Sequence, residues 1–445
     1  MQKIVDIMHA VIIFSQKTKG EMMLIKFTVE NFKSIGKKKE LNFVASNDNS
    51  HREILISSKT INSHVLPVMC LYGGNAAGKT NILQALNLSL SIIKKSLRYQ
   101  EGDKIPYVPF KLSDKIGKKG TKYEIIFEHA GSRYDYGFSH NEWEILDEYL
   151  YYYPKGRQSI IFERKKNKYR FTNDQKELDI LSKRTLKNRL FIATATEWNY
   201  LVIKIPFSYL NRNFVFNDNI VPENPSWSDF TYKKMLSNEK LKNKILFILK
   251  QINSDIDDFE IDFEKKTFQD NNIPIHLPIE IKKLLLNKSG KVSKISTLHL
   301  NTEKTKLIHF KLDEESRGFR KFMEYIGPWL DILEKGRCLF VDELETSLHP
   351  FIVKYLIQMF LNPKINNNNG QLLFTTHNTN LLDLNLFRRD QIWFVEKDME
   401  KCSDFYSLSD LKGVRKDENI KSGYLRGKYG AIPFSCIDLK DFENA

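Results

Sequence analysis

The chain has 445 residues, of which 41% are hydrophobic and 28% are charged, and this ordinary globular composition argues against a disordered chain. Its formal net charge of +14 is compatible with an anionic partner such as DNA or RNA, although a Lys-rich and Asn-rich composition alone gives the same charge. The four cysteines are scattered without Cys-x-x-Cys or Cys/His spacing, which argues against disulfides and zinc and is typical of a cytoplasmic protein.

An apolar stretch at residues 4–14 precedes the first predicted strand. It is too short and too often interrupted to cross a bilayer, and no small-residue cleavage site follows it. We therefore predict that the protein has neither a membrane segment nor a secretory signal. Residues 1–22 are interpreted as an N-terminal extension, with an added N-terminal helix as the alternative.

The first part of the fold is predicted to be rich in β-structure. Apolar runs at 24–29 and 41–44 flank a turn at 33–36 and predict a β-hairpin. Between 122 and 171, aromatic and β-branched runs alternate with breaks that contain Gly, Pro or Lys-Asn. This alternation is typical of an antiparallel meander.

Residues 73–80 read Gly-Gly-Asn-Ala-Ala-Gly-Lys-Thr and fit the pattern G-x-x-x-x-G-K-[ST]. The apolar run at 65–71 predicts a buried strand before this segment, and 81–86 has helical spacing after it. A phosphate-binding loop lies between a strand and a helix in this way. An ordinary Gly-rich turn is the alternative interpretation.

The residue types in this loop suit phosphate chemistry. Glycines let successive backbone N–H groups turn inward around phosphate oxygens, and the following helix adds its positive N-terminal end. Lys79 would reach the β- and γ-phosphates, and the Thr80 hydroxyl would coordinate Mg²⁺. We therefore predict a phosphate site made by Gly73, Asn75, Gly78, Lys79 and Thr80.

The middle of the chain is predicted to be an inserted, mainly helical lobe at 176–300. It would separate an N-terminal lobe at 23–175 from a C-terminal lobe at 301–445. No heptad pattern persists, so long coiled-coil arms are not expected. The segments with helical spacing are 182–193, 235–252 and 278–286.

The C-terminal lobe alternates between strand and helix patterns. This alternation predicts an α/β fold with a doubly wound parallel sheet, which also contains the strand before the phosphate loop. The nucleotide domain is therefore predicted to be split by the insertion. The predicted strands are 338–341, 371–375 and 391–395, and the predicted helices are 351–360 and 380–387.

Polar residues follow two of these strands. Asp342 and Glu343 end an apolar strand, which delivers them to the carboxyl edge of the sheet. Asp342 would hold Mg²⁺ through its water shell, and Glu343 would orient or deprotonate an attacking water. His377 follows the next strand, where a neutral imidazole could hydrogen-bond a γ-phosphate; a structural turn histidine is the alternative.

A further helix start lies upstream of the acidic strand. Ser316 and Gly318 could present a hydroxyl and an unshielded backbone to a phosphate at this helix N-terminus. An ordinary N-cap is the alternative interpretation of this segment.

The order of these motifs resembles an ABC-type ATPase head of the RecF, SMC and OLD kind. More narrowly, the chain resembles the AAA-like ATPases of prokaryotic defence systems, such as RloA, the AbiL ATPase and the ATPase subunit of PARIS. The similarity spans nearly everything from Met23 onward. The segments that carry it are Asn31-Phe32-Lys33-Ser34-Ile35, Gly73 to Thr80, Ser316-x-Gly318, Phe340-Val341-Asp342-Glu343, Ser347-Leu348-His349-Pro350, Thr375-Thr376-His377 and Gly427 to Pro433.

The resemblance implies a homodimer that encloses two ATP molecules with Mg²⁺. Ser316 and Gly318 of one protomer would complete the site of the other, which contains Lys79, Asp342, Glu343 and His377. The segment Glu315-Ser316-Arg317-Gly318 departs from the double-glycine signature of transporters. Because two protomers would share each site, a single chain is expected to hydrolyse ATP slowly.

The leading hypothesis from the resemblance is a sensor or regulator ATPase in an anti-phage or abortive-infection system, working with an effector protein from an adjacent gene. A RecF-like repair ATPase that clamps DNA is the alternative. A transporter ATPase is a third hypothesis, which the large insertion and Ser347-Leu348-His349-Pro350 argue against. The segment after His377 is too short for an OLD-type nuclease domain, so no nuclease centre is expected.

Overall fold

The computed structural model describes residues 22–217, 225–251, 255–267, 289–415 and 418–432. The predicted extension up to residue 21 and the predicted helix at 278–286 lie outside these ranges. The strands are β1 (Met22–Glu30), β2 (Lys39–Asn42), β3 (Ile56–Ser58), β4 (Ser63–Val65), β5 (Val68–Tyr72), β6 (Thr121–His129), β7 (Ser132–His140), β8 (Ile145–Tyr152), β9 (Ser159–Lys165), β10 (Lys168–Phe171), β11 (Phe214–Asn217), β12 (Asp258–Thr267), β13 (Ser289–Leu300), β14 (Leu307–Lys311), β15 (Cys338–Val341), β16 (Gln371–Thr375), β17 (Ile392–Lys397) and β18 (Ser403–Ser407).

All the described helices but the last lie between these strands in the chain, and the last follows β18. Within the described ranges, no helix has the combined length and hydropathy that a membrane-spanning segment needs. The helices are α1 (Lys79–Lys95), α2 (Asp114–Gly117), α3 (Gln175–Lys183), α4 (Phe191–Glu197), α5 (Leu201–Arg212), α6 (Pro225–Ser237), α7 (Glu239–Gln251), α8 (Arg317–Lys335), α9 (Pro350–Leu361) and α10 (Ile420–Leu425).

The chain divides into two compact units. The first takes in the described parts of 1–219, 332–345 and 353–445, and the second takes in those of 220–331 and 346–352. Helices α3 to α5 belong to the first unit. The second unit therefore begins later than the predicted insertion at 176–300 and continues past its end.

A seven-stranded antiparallel sheet forms one layer of the first unit, in the order β10, β9, β8, β7, β6, β1, β2. The predicted hairpin is confirmed, because β1 pairs with β2 and places Lys26 opposite Asn42. Its second strand begins two residues earlier than predicted. Strands β6 to β10 pair with their chain neighbours, which confirms the predicted meander.

A six-stranded sheet forms the second layer, in the order β11, β15, β16, β5, β17, β18. All its pairs are parallel except that of β17 with β18. Every residue of β5 is buried, as expected for a parallel strand that is covered on both faces. The prediction that the loop strand and the acidic strand share one sheet is confirmed. The carboxyl ends of β5, β15 and β16 consequently meet at the same edge.

Gln371, at the start of β16, connects the two layers. Its Oε1 accepts a hydrogen bond from the backbone N–H of Leu24 at 2.6 Å, and its Nε2 donates to the Leu24 and Leu66 carbonyls at 3.0 and 3.3 Å. Gln371 is buried, so these contacts satisfy polar groups that have lost their water. The amide holds the parallel sheet against β1 of the antiparallel sheet.

The second unit combines helices with a three-stranded antiparallel sheet, in the order β12, β13, β14. A side chain at Gly327 of α8 would place its Cβ 2.2 Å from Thr231 Oγ1 of α6, so glycine permits the close approach of these helices. Lys234 and Asp331 form an ion pair between the same helices at 2.7 Å. Strands β12 and β13 lie within the predicted helical lobe at 176–300, where no strand was anticipated, and β14 lies just beyond it.

The helix predicted over 380–387 is wrong. The structure has a single 3₁₀ turn at Thr379–Leu381 followed by turns. Asn378 Oδ1 accepts from the N–H of Asn380 at 3.0 Å, and Asp383 Oδ1 accepts from the N–H of Asn385 at 2.9 Å. These side chains replace the helical hydrogen bonds of the backbone and favour turns.

The helix predicted over 182–193 is also wrong, because α3 ends at Lys183 and α4 begins at Phe191. The buried carboxylate of Glu148 accepts from the N–H groups of Phe191 and Ile192 at 2.6 and 3.0 Å. A carboxylate at this position stabilises a new helix start. Glu148 is distant in sequence from Phe191, so the helical spacing of the segment could not predict this contact.

Because His140 is buried at the end of β7, we predict that the folded protein loses stability in acid. The ring is buried, its Nδ1 lies 2.9 Å from the Asn141 carbonyl, and its Nε2 has no hydrogen-bond partner among the described residues. Burial lowers the pKa of His140 from 6.5 to about 4. The unfolded chain therefore takes up a proton before the folded chain does. The stabilisation is complete above pH 6.5 and is lost as the pH falls towards 4, by about 1.4 kcal/mol per pH unit.

Urea unfolding between pH 7 and pH 4.5 would measure this effect. We expect the His140→Asn variant to be less stable at pH 7 but to show a shallower dependence on pH, because asparagine does not titrate. His64 is exposed, and His64→Asn serves as the control that should retain the original dependence. An unchanged dependence in His140→Asn would contradict the assignment.

Candidate nucleotide-binding site

The glycine loop lies between β5 and α1, as the sequence predicts. A Cβ at Gly73 would lie 2.2 Å from the Val395 carbonyl oxygen of β17. Gly78 has φ of +111°, and a Cβ there would lie 2.1 Å from Ser403 Oγ of β18. Both positions therefore require glycine, and the loop backbone lies directly against the neighbouring strands.

Lys79 is the first residue of α1 and turns back over the loop. Its Nζ donates to the carbonyls of Gly73 and Gly74 at 2.9 and 3.1 Å, and the residue is only 6% exposed. Burial lowers the pKa of Lys79, while the carboxylates of Asp342 and Glu343 oppose that change. The loop thus contains a desolvated ammonium group, on which an anion would act strongly.

Asp342 lies between two hydroxyl groups. Its Oδ2 accepts from Thr80 Oγ1 at 2.8 Å, and its Oδ1 accepts from Thr375 Oγ1 at 2.6 Å. The three residues come from α1, the end of β15 and the end of β16, which meet at the sheet edge. The structure therefore brings Thr80 and Asp342 together as predicted, and it adds Thr375.

Glu343 follows with a left-handed backbone, at φ of +50°. Its N–H donates to Thr375 Oγ1 at 2.8 Å, and its side chain is exposed while Asp342 is buried. A non-glycine residue in this region costs free energy and is found preferentially at functional sites. The turn separates the two carboxylates, so that only the first is enclosed by the two threonines.

His377 lies two residues after β16. Its backbone N–H donates to Glu345 Oε1 at 2.5 Å. Burial lowers the pKa of His377, and the positive charge of Lys79 acts in the same direction, while Glu345 opposes it. The imidazole is therefore neutral at pH 7, and a neutral imidazole can donate its ring N–H to a phosphate oxygen.

Two serines that the sequence analysis did not select hold the far end of the loop. Ser403 Oγ donates to the Ala77 carbonyl at 2.6 Å, and Asn81 Nδ2 donates to Ser34 Oγ at 2.6 Å. The N–H of Ser403 also donates to the Ser34 carbonyl at 2.7 Å. These contacts connect the loop to β18 and to the turn after β1. Ser34 lies in a segment that carries the family resemblance, whereas no sequence signal marks Ser403.

A substitution at Gly78 is expected to damage the site more than the fold. Gly78→Ala would force Ser403 and Ser34 away from the loop, and we expect at least a tenfold loss of affinity for a fluorescent ATP analogue. Gly102→Ala is the matched control, because Gly102 also has positive φ (+88°) but has no atom within 4 Å of the added Cβ. Both variants should lose about 1 kcal/mol of stability from backbone strain, and Gly78→Ala should lose more because Ser403 and Ser34 must move. Equal affinities in the two variants would contradict this account.

The remaining predicted residues are Ser316 and Gly318, which belong to the second unit, and Asn75, which belongs to the loop. Ser316 Oγ accepts from the Phe319 N–H at 3.1 Å, which is the N-cap interaction of α8 in the second unit. A Cβ at Gly318 would make only an ordinary contact, at 3.4 Å from the Ser347 carbonyl oxygen. Asn75 is exposed at the loop tip. Their roles towards a nucleotide stay predictions.

The residues of the first unit fit a nucleotide with Mg²⁺. The loop glycines leave a concave backbone that any Cβ would fill, and Lys79 supplies a cation within it. Thr80 and Asp342 supply hard oxygen ligands, which Mg²⁺ prefers, at 2.8 Å from each other. Glu343 and His377 add a carboxylate and an imidazole beside these groups.

The strand, glycine loop and helix, with an acidic strand end in the same parallel sheet, define the class of P-loop proteins. A family model matches residues 68–383, which is most of the chain. The protein belongs to this family, described as "AAA domain, putative AbiEii toxin, Type IV TA system". No curated protein matches the chain.

Solved structures of two SMC heads and of RecF are similar to this chain at 13% to 16% identity. An SMC head bound to the C-terminal winged-helix domain of ScpA has a TM-score of 0.38 and 13% identity, over 86% of this chain and 97% of that chain. The SMC head from Thermotoga maritima has a TM-score of 0.36 and 13% identity, over 86% and 98%. The recombination mediator RecF with ATP has a TM-score of 0.33 and 16% identity, over 87% and 99%.

Proposed function

We propose that the protein is an ATP-binding and ATP-hydrolysing switch. The observation that carries this proposal is the convergence of Lys79, Thr80 and Asp342 at one sheet edge, with Glu343 and His377 beside them. An ordinary glycine turn needs neither a buried ammonium group nor a carboxylate that accepts hydrogen bonds from two hydroxyl groups. The same groups meet the electrostatic needs of a triphosphate.

Nucleotide binding would draw on the groups that are already close together. Lys79 would exchange its contacts with the Gly73 and Gly74 carbonyls for oxygens of the β- and γ-phosphates. Thr80 and Asp342 would hold Mg²⁺, directly and through water, and the ion would neutralise part of the phosphate charge. The serines behind the loop would keep the backbone amides in place during this exchange.

Hydrolysis would require Glu343 and His377. The Glu343 carboxylate would orient a water and accept its proton as the water oxygen bonds to the γ-phosphorus and the bond to the β-phosphate oxygen breaks. ADP and inorganic phosphate are the products. The neutral imidazole of His377 would hydrogen-bond the γ-phosphate and hold it in line with the attacking water.

The switch would operate through a homodimer. Ser316 and Gly318 of one protomer would complete the site of its partner, so ATP would bind more tightly to the closed dimer than to the separated chains. This difference in affinity is what lets a nucleotide shift an assembly, and hydrolysis would reverse it. Turnover by an isolated protomer should accordingly be slow.

We further propose that this switch is the sensor or regulator ATPase of a prokaryotic anti-phage or abortive-infection system and acts with a separate effector. The toxin–antitoxin description of its family supports this context. A RecF-like ATPase that clamps DNA is the second candidate, and the net charge of +14 favours it. The two candidates share the ATPase chemistry and differ in the partner.

The partner can be identified from the mass of the purified protein with and without Mg-ATP. The chain would be co-expressed with the products of its adjacent genes, and phosphate release would be measured on the same sample. An ATP-dependent assembly that retains a neighbour-encoded protein would support the sensor. An ATP-dependent dimer that ignores its neighbours and binds duplex DNA with a steep salt dependence would support the clamp. A monomer that neither binds nor hydrolyses ATP would refute both.

A further inference from the structure

Glu345 joins the acidic segment to the histidine segment. It lies two residues after Glu343, and its Oε1 accepts the His377 N–H at 2.5 Å. Hydrogen bonds to a carboxylate are shorter and stronger than those between neutral groups. The segments after β15 and β16 are also joined by the Leu344 N–H and the Thr375 carbonyl at 3.2 Å. The hydrogen bond from Glu345 extends this connection to His377.

The second carboxylate oxygen of Glu345 is unusual. Oε2 is buried and has no hydrogen-bond partner among the residues that the structure describes. A carboxylate oxygen that has lost its water without gaining a donor costs free energy, so a side chain kept only for stability would satisfy both oxygens. The carboxylate also acts electrostatically on Lys79 and His377. The contact of Glu345 with the site therefore explains its position better than packing does.

We propose that Glu345 is a positioning residue for the proposed ATP hydrolysis, which holds the backbone of His377 so that the imidazole faces the γ-phosphate. This inference rests on the proposed function. Glu345 acts through His377 and need not touch the nucleotide itself. Its removal should therefore slow turnover without weakening ATP binding.

Two substitutions separate positioning from charge. Glu345→Ala removes the acceptor, and we expect kcat to fall about 100-fold, the effect of misplacing a reacting group by about 1 Å, with KM and the Kd for Mg-ATP unchanged within threefold. Glu345→Gln retains an acceptor for the His377 N–H and should restore kcat at pH 8 to within about threefold of the wild type. Because Gln removes the anion that favours the protonated imidazole, the acid limb of the pH–rate profile should move to lower pH.

A double-substitution cycle tests whether the effect passes through His377. Adding Glu345→Ala to His377→Ala should cause almost no further loss of kcat, because the positioned group is already absent. Glu396 supplies the matched control, since its Oε2 accepts the Ala431 N–H at 2.8 Å beside a different strand. Glu396→Ala should leave kcat at the wild-type level. An equal loss from Glu345→Ala with and without His377 would overturn the proposal.

An observation on the nucleotide-free protein separates this inference from the proposed function. With ¹⁵N-labelled histidine, the His377 amide should shift upfield in Glu345→Ala and should remain close to its original position in Glu345→Gln. An unmoved amide would overturn the positioning role even if ATP were hydrolysed. A moved amide in a protein that does not hydrolyse ATP would refute the ATPase function while leaving the contact established.

Discussion

Replacing Lys79 with alanine is expected to weaken ATP binding about 100-fold or more. The buried ammonium is the cation within the loop, and its two contacts with the Gly73 and Gly74 carbonyls are 2.9 and 3.1 Å long. Charge-assisted hydrogen bonds contribute about 1.5 to 3 kcal/mol each. The variant cannot form the two that Lys79 would donate to phosphate oxygens, so its affinity for ATP should fall about 100-fold or more. Calorimetric titration with Mg-ATP would measure the loss.

The control is Lys95→Ala, which removes the same charge from an exposed position on the same helix. It should leave the Kd for ATP within twofold of the wild type. Lys79→Ala also leaves two loop carbonyls without their donor, at a cost of about 1 to 3 kcal/mol, so its unfolding should be followed in parallel. A folded Lys79→Ala protein with wild-type affinity would contradict the assignment of the loop.

The central part of the site could be predicted because its signals are local. The glycine loop needs only eight consecutive residues between a strand and a helix, and Asp342 and Glu343 need only an apolar strand before them. Strand ends in a parallel sheet share an edge, so the meeting of these segments followed from the fold class. The left-handed conformation of Glu343 was not accessible in this way, because no residue type marks it.

The supporting residues depend on contacts across the fold. Ser403 lies 326 residues from Ala77, and its hydroxyl is one of many in the chain. Thr375 lies within a segment that carries the family resemblance and Glu345 lies next to the acidic pair, but their roles depend on contacts between the segments that follow two neighbouring strands. Residue spacing predicts the strand and the loop, but it does not predict which hydroxyl or carboxylate forms a hydrogen bond with them.

The wrong helix predictions have a similar cause. The apolar spacing over 380–387 is compatible with a helix, yet the side chains of Asn378 and Asp383 bind the backbone locally and produce turns. Helix α4 begins at Phe191 because Glu148 of β8 binds its first N–H groups. In the first case local competition decides the structure, and in the second a distant carboxylate does.

Replacing Glu343 with glutamine is expected to separate ATP binding from ATP hydrolysis. Glutamine has nearly the same size and can occupy the same left-handed backbone, but it cannot accept a proton from water. Because the Glu343 side chain is exposed, the substitution should change the free energy of unfolding by less than about 0.5 kcal/mol. Loss of a general base typically costs 10²- to 10⁴-fold, so phosphate release should fall by about 10²-fold or more while the Kd for ATP is retained.

The retained ATP should in turn stabilise the assembly. If nucleotide favours the closed homodimer, slow hydrolysis lets that state accumulate, and the mass of Glu343→Gln should double on addition of Mg-ATP but not of Mg-ADP. Glu101→Gln, an exposed change in a loop, serves as the control and should hydrolyse ATP and dissociate like the wild type. Wild-type hydrolysis in Glu343→Gln would remove Glu343 from the mechanism. Lost hydrolysis with ATP bound to a monomer would keep Glu343 as the base and refute the homodimeric switch, because nucleotide would then have no assembly to shift.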